Sequence, residues 1–549
     1  MLNLKSVYYY FLAIKISSLK FLKKIYFKTN FYKRSLVSLT PRQFYFYPNT
    51  FLLSSITNSE NFSFNLSDID PYTLWIKQNS IREEESLHNF LWLNLISRKN
   101  DAAIIQKIIT QWIYKNSSYK KTVWNSSITS KRIISWILNA EIILNSTNKN
   151  FKEIFFQSIV IQINHLKKNF KFENSDSKKI ELLTAILLSG LVFKEYFDNF
   201  NFSLKELKKI IENFFDKDGF PKNRNPNDLI KFSKYLILIK ECSKDAQQYV
   251  PDYLEEIIDK NLSCLITIKT PINQMPLFNG ATEIKMDKYL NYIERLNYNC
   301  KKNKNLVGQI QILKNQKSSV FFDIGGPPKK KFSGAYQLGP LSFEYFFNNQ
   351  KIITNCGYGK QISKKAKLVS RLTSAQSTLC LNDTSVTKLE RNKIINRTFG
   401  AFIKNSFNVF DINFNNDDLN LIASASHNAY EKKFGYIHKR FLSISKKSSE
   451  LKGSDFLIKK RNISSNVNYH IRFHLYPGIY ATETIGGNSI LIQIDKNKSL
   501  IFSSPNQKIS LEKSIFLGRN QILNNFCITI NGNLSDKSQT IDWEIKKNN

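Results

Sequence analysis

Cysteine patterns that define disulfide-rich or zinc-bound folds are missing from this sequence. None of its six cysteines pairs as CxxC, and no Cys/His cluster has zinc-finger spacing. In a chain of 549 residues, scattered cysteines are expected to be small apolar side chains rather than a disulfide framework. Nothing in the sequence calls for a metal or another cofactor. The cysteines are Cys242, Cys264, Cys300, Cys356, Cys380 and Cys527.

Long hydrophobic runs are also missing. No run reaches the ~18 apolar residues that a membrane-spanning helix needs. The longest, Leu182 to Phe193, contains serine and glycine and predicts a buried helix. Val7 to Ile14 faintly resembles a signal sequence, but Lys15 interrupts it and no A-x-A-like cleavage site follows.

The N-terminal segment Met1 to Ser35 has basic and aromatic residues but no acid. This mixture predicts a basic amphipathic helix. Two interpretations remain open. The helix contacts a membrane or another surface, or it packs on its own domain and turns a basic face outward.

Acidic residues are scarce, with 44 against 80 lysines and arginines, so the formal net charge is +36. Such a charge attracts polyanions: nucleic acid, acidic polysaccharide or an anionic membrane surface. The sequence has no helix-turn-helix, RNA-binding sheet motif or zinc finger, so nucleic acid is not the expected partner. The alternative is a solvated basic surface without a specific partner, because the charge is spread along the chain.

The sequence predicts a helical half followed by a strand-rich half. Residues 1–70 form a basic N-terminal segment with an irregular lead-in, and residues 71–300 repeat apolar positions at helical spacing, which suggests an (α/α) toroid. Residues 301–549 alternate short apolar runs with turn residues and predict an antiparallel β-sandwich. Asn531 and Gly532 predict a hairpin turn within it.

Several ordered motifs in the seam between these halves resemble one family. The segments DIGGPP, SGAYQLGPLSFE, KIITNCG and RLTSAQSTLCLNDTS lie within Phe321 to Ser385. They are similar to the C-terminal domain of heparinase II/III-like polysaccharide lyases. Ser426 to Arg440 and Ile471 to Gly478 extend the resemblance, as do Asp218 to Pro226 and Met275 to Glu283 in the helical half.

This resemblance implies β-elimination on a uronate-containing glycan. In such a reaction a base takes the proton α to the carboxylate, a second group neutralises that carboxylate, and an acid protonates the leaving oxygen. In the family the acid is usually a tyrosine. A polyanionic substrate fits a basic cleft.

The sequence departs from the family where the chemistry is expected. The HxHxD-like motif reads Ala335, Gln337 and Gly339, and the later aspartate and histidine positions carry Asn355 and Gln376. Neutral amides are poor zinc ligands. In the helical half, Pro221 stands at the DGxH-like histidine. The tyrosine acid has no assigned position, and the residues near it are Phe278, Tyr289, Tyr292 and Tyr298.

Two groups of residues remain candidates for function. The first would supply catalysis, with His427 or His474 as base, and the second would bind substrate, with Arg224 as the uronate partner. For each, the alternative is a structural role as a strand hydrogen-bonder, helix cap or loop residue. The catalytic candidates are His427, Tyr430 and His474. The substrate-binding candidates are Arg224, Asn225, Gln337, Arg371 and Gln376.

The expected function is therefore a polysaccharide lyase-type reaction on an acidic glycan. The alternative is a non-catalytic acidic-glycan-binding or envelope-assembly protein that kept the fold and lost the catalytic histidines. The resemblance implies a periplasmic or cell-envelope location. Because no clear signal sequence is present, a cytoplasmic or membrane-peripheral location is the other option.

Overall fold

The computed structural model describes residues 4–57, 74–75, 81–95, 102–145, 149–302, 305–462, 467–495, 498–505, 507–534 and 537–548. Part of the predicted lead-in, from 58 to 70, lies outside these residues. The helices of the N-terminal half are α1 (Leu4–Tyr26), α2 (Asn30–Arg34), α3 (Ser54–Thr57), α4 (Ile81–His88), α5 (Ala102–Lys115), α6 (Ser126–Leu138), α7 (Ala140–Ile143), α8 (Lys149–Phe170), α9 (Asp176–Val192), α10 (Asp198–Phe214), α11 (Asn227–Asp245), α12 (Asp252–Ile268) and α13 (Asp287–Arg295).

Helix α9 is the centre of the helical half. Its residues from Ile180 to Val192 are buried on every side, and it contacts α6, α8, α10 and α11. A helix that is hydrophobic all round must lie inside a larger helical assembly. The apolar run Leu182 to Phe193 is thus a buried helix, and no described helix is long and apolar enough to cross a membrane.

The second half forms two antiparallel sheets. The first runs in the order β1-β2-β3-β4-β5-β11-β16-β15, with β6 paired to β11, and the second in the order β12-β13-β14-β17-β10-β9-β8-β7. The strands are β1 (Leu306–Val307), β2 (Ile310–Lys314), β3 (Ser318–Asp323), β4 (Phe343–Phe347), β5 (Gln350–Thr354), β6 (Leu379–Leu381), β7 (Val409–Asn416), β8 (Asn420–His427), β9 (Tyr436–Ser445), β10 (Leu451–Lys459), β11 (Asn468–Leu475), β12 (Tyr480–Glu483), β13 (Ser489–Asp495), β14 (Lys498–Ser503), β15 (Lys508–Phe516), β16 (Leu523–Asn533) and β17 (Gln539–Lys547). The short helices of this half are α14 (Lys364–Val369), α15 (Lys393–Phe399) and α16 (Glu431–Phe434).

Strand β3 is buried on both faces because it belongs to two cores. Successive side chains of a strand point to opposite faces. Phe321 joins the core of the helical half, whereas Val320 and Phe322 join the core between the two sheets. The first sheet therefore packs on helices with one face and on the second sheet with the other.

The predicted fold class is confirmed: helices come first, and antiparallel sheets follow. One turn prediction is wrong. Asn531 and Gly532 lie inside β16, where Gly532 pairs with Tyr469 of β11. A Cβ on Gly532 would lie 2.3 Å from the Tyr469 hydroxyl oxygen. The glycine is therefore needed to leave space for the tyrosine side chain, and it does not form a turn.

Candidate functional site

The two halves meet at a seam built from loops. We define the seam by the loop 216–226 before α11, the loop 269–286 between α12 and α13, and residues 323–339 after β3. Phe214 and Phe332 pack edge to face across it, and the Glu283 amide donates to the Gly518 carbonyl at 2.8 Å. Loops at such a junction can carry binding groups because packed elements hold them on both sides.

Arg224 links the two halves through a buried ion pair. Its backbone is left-handed, with φ of 62°, and its guanidinium pairs with Asp323 at the end of β3. The Nη1 group also donates to the Gly326 carbonyl at 3.1 Å. A Cβ on Gly325 would lie 2.2 Å from Arg224 Nη2, so only glycine fits beside the guanidinium. Arg224 as a whole is 5% exposed, and its guanidinium faces protein rather than a solvent-filled site.

Asn225 lies beside Arg224 and caps the start of α11. Its Oδ1 accepts the Asn227 amide at 3.0 Å. A Cβ on Gly280 would lie 3.5 Å from Asn225 Nδ2 and 2.8 Å from the Ala335 Cβ. Ala335, at the first histidine position of the family motif, therefore packs closely on the loop of the helical half.

The amides at the other motif positions form one hydrogen-bonded group. Gln337 Nε2 donates to the Gly357 and Ser370 carbonyls at 3.0 and 2.8 Å, and its Oε1 accepts the Gly280 amide at 3.0 Å. Gln376 Nε2 donates to the same Ser370 carbonyl at 2.9 Å. The structure thus brings Gln337 and Gln376 together.

These amides do not suit a metal ion. Gln337 Oε1 already accepts an amide hydrogen, Asn355 Oδ1 accepts the Ser377 amide at 3.0 Å, and the Nε2 groups of Gln337 and Gln376 point hydrogens at carbonyls. Metal sites need lone pairs aimed at a common point. Across the described part of the chain, no group of three His, Cys, Asp or Glu side chains is placed to hold a metal.

Arg371 holds the seam segment from inside. Its guanidinium donates to the carbonyls of Tyr336, Ala401 and Ser333 at 2.8, 2.6 and 2.9 Å. Burial lowers the pKa of Arg371 to about 10. Because its guanidinium N–H groups donate to backbone carbonyls, Arg371 fixes the chain around Tyr336 and does not present its charge to solvent.

His427 is fully buried at the end of β8, in the interior of the sandwich. Its Nδ1 accepts the Ala429 amide at 3.2 Å, so Nε2 carries the proton and donates to His438 Nδ1 at 3.1 Å. His438 Nε2 then donates to Asp455 at 2.6 Å. Burial lowers the pKa of His427, and the neighbouring Arg440 lowers it further. This is a chain of neutral imidazoles ending on a carboxylate.

Tyr430 and His474 are also engaged in the interior. The Tyr430 hydroxyl donates to the Leu379 carbonyl at 3.2 Å, and its ring lies 5.6 Å from that of His427. His474 contacts the Ser374 carbonyl and the Ser514 hydroxyl, each at 3.0 Å, and burial lowers its pKa to about 4. The three catalytic candidates therefore split between two places, and each has interior partners.

The tyrosines considered for the acid lie in the helical core. Tyr289 pairs with Ser233, and the hydroxyls of Tyr292 and Tyr298 donate to the Leu52 carbonyl and to Glu241. Phe278 is buried in the seam. Nearer the amides, the buried hydroxyl of Tyr336 has no hydrogen-bond partner among the described residues.

Next to the seam lies a lysine cluster that was not predicted from the sequence. Its members are Lys178 of α9, Lys231 of α11, Lys360 of the short 3-10 helix Gly359–Gln361, and Lys367 of α14. Partial burial lowers the pKa of Lys360, and the charges of Lys231 and Lys178 lower it further while Asp228 opposes them. Burial and then Lys360 lower the pKa of Lys367. Because these lysines are far apart in the sequence, no local motif indicated that they form a cluster.

Comparisons with known proteins agree with this architecture. Residues 303–544 match the family model described as "Heparinase II/III-like, C-terminal". The heparan sulfate lyase HepC from Pedobacter heparinus superposes with a TM-score of 0.63 at 14% identity, covering 90% of this chain and 82% of that chain. Heparinase III superposes with a TM-score of 0.66 at 12% identity, covering 97% and 91%. No curated protein matches the sequence.

The chain thus has the toroid-plus-sandwich fold of heparinase III. Its residues 303–544 are similar to the heparinase II/III-like C-terminal domain, while identity to the solved structures is low.

Proposed function

We propose that this protein binds an acidic glycan at the lysine cluster, and that it does so without histidine-based β-elimination. The observation that carries the proposal is the lysine cluster itself. Lys178 and Lys231 come from the helical half and Lys360 and Lys367 from the strand-rich half. Beyond burial, the charges of Lys231 and Lys178 lower the pKa of Lys360, and the charge of Lys360 lowers that of Lys367. Like charges held together cost free energy that a bound polyanion offsets.

The surroundings of the lysine cluster support the same proposal. Only part of its charge is neutralised: Lys231 pairs with Glu181 at 3.3 Å, and Asp228 lies near Lys360. A carboxylate or sulfate on a sugar ring would supply the missing negative charge. The seam amides beside it donate to backbone carbonyls, and His427 and His474 have interior partners, so none of these groups is poised to take a proton from a glycan.

Glycan binding should fall when the lysine cluster is reversed in charge. The double variant Lys360→Glu with Lys367→Glu should bind heparin, chondroitin sulfate or polygalacturonate about tenfold more weakly or worse, and high salt should weaken wild-type binding. Titration calorimetry measures the dissociation constant. The matched control is Lys107→Glu with Lys447→Glu, which changes the net charge equally at exposed positions away from the seam. An equal loss in both variants would assign the binding to net charge alone.

Elimination is the second candidate, and Tyr336 favours it. Its hydroxyl is buried without a partner, and burial raises its pKa, so it stays a neutral acid beside Asp323 and Arg224. A lyase would produce unsaturated uronates that absorb at about 232 nm. If absorbance rises with wild-type protein, Tyr336→Phe should abolish the rise. No rise on any uronate glycan, together with measurable binding, rejects this candidate and leaves the first.

A further inference from the structure

Helix α1 is attached to the rest of the protein along one side only. Ala13 is fully buried, and Tyr9 and Tyr10 pack with it against Phe399 and other apolar residues of and after α15. Tyr9 stacks edge to face on Phe399 with ring centres 5.7 Å apart. At its C-terminal end, the chain turns and buries Phe27 against the helical half. The helix thus contacts both halves.

The opposite side of α1 is apolar and exposed. Tyr8 and Phe11 are each 65% exposed, and Leu22 is 59% exposed. In a helix with 3.6 residues per turn, these three positions lie on the side away from Ala13. Surface patches of several large apolar side chains usually mark an interaction site. Further large apolar residues of the same N-terminal segment are exposed: Leu19, Phe21, Ile25, Phe31, Val37 and Leu39.

The same segment has charge of one sign. No acidic residue precedes Glu60 in the sequence. Lysines and an arginine of α1, α2 and the turn between them are also exposed, so the segment combines apolar bulk with positive charge. The exposed basic residues are Lys15, Lys20, Lys24, Lys28, Lys33 and Arg34.

We propose that α1 and α2 form a docking surface for a membrane with anionic lipid headgroups. Phenylalanine, tyrosine and leucine side chains insert at the boundary between headgroups and acyl chains, while lysines remain with the phosphates. Each lysine near an anionic surface adds to the attraction. The helix lies in the interface rather than crossing the bilayer.

A second copy of this chain fits the surface less well than a membrane does. Two such faces brought together would bring Lys15 of one copy toward Lys15 of the other, with the positive charge of the flanking basic residues around them. Neither α1 nor α2 contains an acidic residue that could pair with these charges. An anionic bilayer satisfies the charge and the apolar side chains at once.

Vesicle co-sedimentation with the full-length protein tests the docking surface. Wild-type protein should sediment with vesicles of phosphatidylcholine containing about one third phosphatidylglycerol, and about tenfold less with phosphatidylcholine alone. Phe11→Glu with Leu22→Glu should reduce binding to the anionic vesicles about tenfold or more. Lys20→Glu with Lys24→Glu should reduce it to a similar degree and remove its salt dependence.

Ile485→Glu is the matched control, because Ile485 is fully exposed at the turn between β12 and β13, and its vesicle binding should equal that of the wild type. Unchanged circular dichroism shows that the variants fold. The proposal is overturned if the wild type does not bind anionic vesicles, or if the Phe11 and Leu22 variant binds them as well as the control does. It is also overturned if sedimentation without lipid shows a dimer that this variant dissociates.

Discussion

Replacing Asp455 by alanine should lower the free energy of unfolding by about 3–5 kcal/mol. Asp455 is fully buried and accepts hydrogen bonds from four donors on three side chains. Arg440 reaches it through Nε at 2.8 Å and Nη2 at 3.1 Å, His438 at 2.6 Å and Trp543 at 2.9 Å. Without the carboxylate, the buried Arg440 charge has only carbonyl partners.

Arg440 is the main group that keeps the buried Asp455 carboxylate ionised. Burial alone would raise the pKa of Asp455, but Arg440 and His438 hold it below its usual value. Arg440 also donates to the Leu341 and Ser377 carbonyls, each at 2.9 Å, so the network connects the second sheet to the first. A buried charge left unpaired is far more costly than a missing surface pair.

Denaturant unfolding measures the change. Asp542→Ala is the matched control, because Asp542 lies on the neighbouring strand β17 and bonds the Ser454 hydroxyl in an exposed position at 2.6 Å. It should cost about 1 kcal/mol or less. A loss for Asp455→Ala as small as that of the control would mean that Arg440 is satisfied without the carboxylate.

Acid should unfold the protein well above pH 4, because buried histidines stay neutral in the fold. Burial lowers the pKa of His88 and His165 to about 3 and that of His474 to about 4, and it lowers those of His427 and His438 as well. In the unfolded chain each imidazole binds a proton at about pH 6.5. Below that pH the unfolded state therefore holds more protons, and stability falls as pH falls.

The size of this effect follows from proton linkage. Each neutral histidine removes about 1.4 kcal/mol of stability per pH unit between about pH 6.5 and its own folded pKa. Raised pKa values at Asp216 and Asp228 oppose the trend, because those groups take up protons more readily in the fold. Five histidines outweigh them.

Thermal unfolding between pH 8 and pH 5 measures the trend. The midpoint should be nearly constant above pH 7 and should fall steeply below pH 6.5. His88→Gln should make the fall shallower by about 1.4 kcal/mol per pH unit, because it removes one titrating group. A midpoint that stays constant down to pH 5 would show that these imidazoles bind protons in the folded state.

The order of helices and strands was largely predictable because the hydrophobic period is local. The runs Ser342 to Phe347 and Lys351 to Thr354 predict strands, and the structure has β4 and β5 there. Glycine residues inside strands were misleading, because glycine is also typical of turns. Gly532 faces Tyr469 across β16 and β11, and Gly453 faces Trp543 across β10 and β17, where a Cβ would lie 2.1 Å from the indole. In each pair an aromatic ring fills the space above a strand glycine, and sequence alone shows only a turn residue.

The candidate site was predictable only where a motif identified it. Family resemblance located Gln337 and Gln376, and the structure brings them onto one carbonyl. It also drew attention to His427 and His474, whose partners come from other strands and could not be predicted from their own neighbours. The lysine cluster has no motif, because three separate segments of the chain supply its charges.

The two faces of β3 have a consequence for how the protein can be divided. A boundary near residue 300 separates helices from strands, yet Ile310, Ile312, Phe321 and Phe346 of the first sheet belong to the helical core. A fragment that begins there would expose this apolar face to water and favour aggregation. The boundary between secondary-structure types is therefore not a boundary between independent folding units, and the two halves should unfold in one cooperative transition.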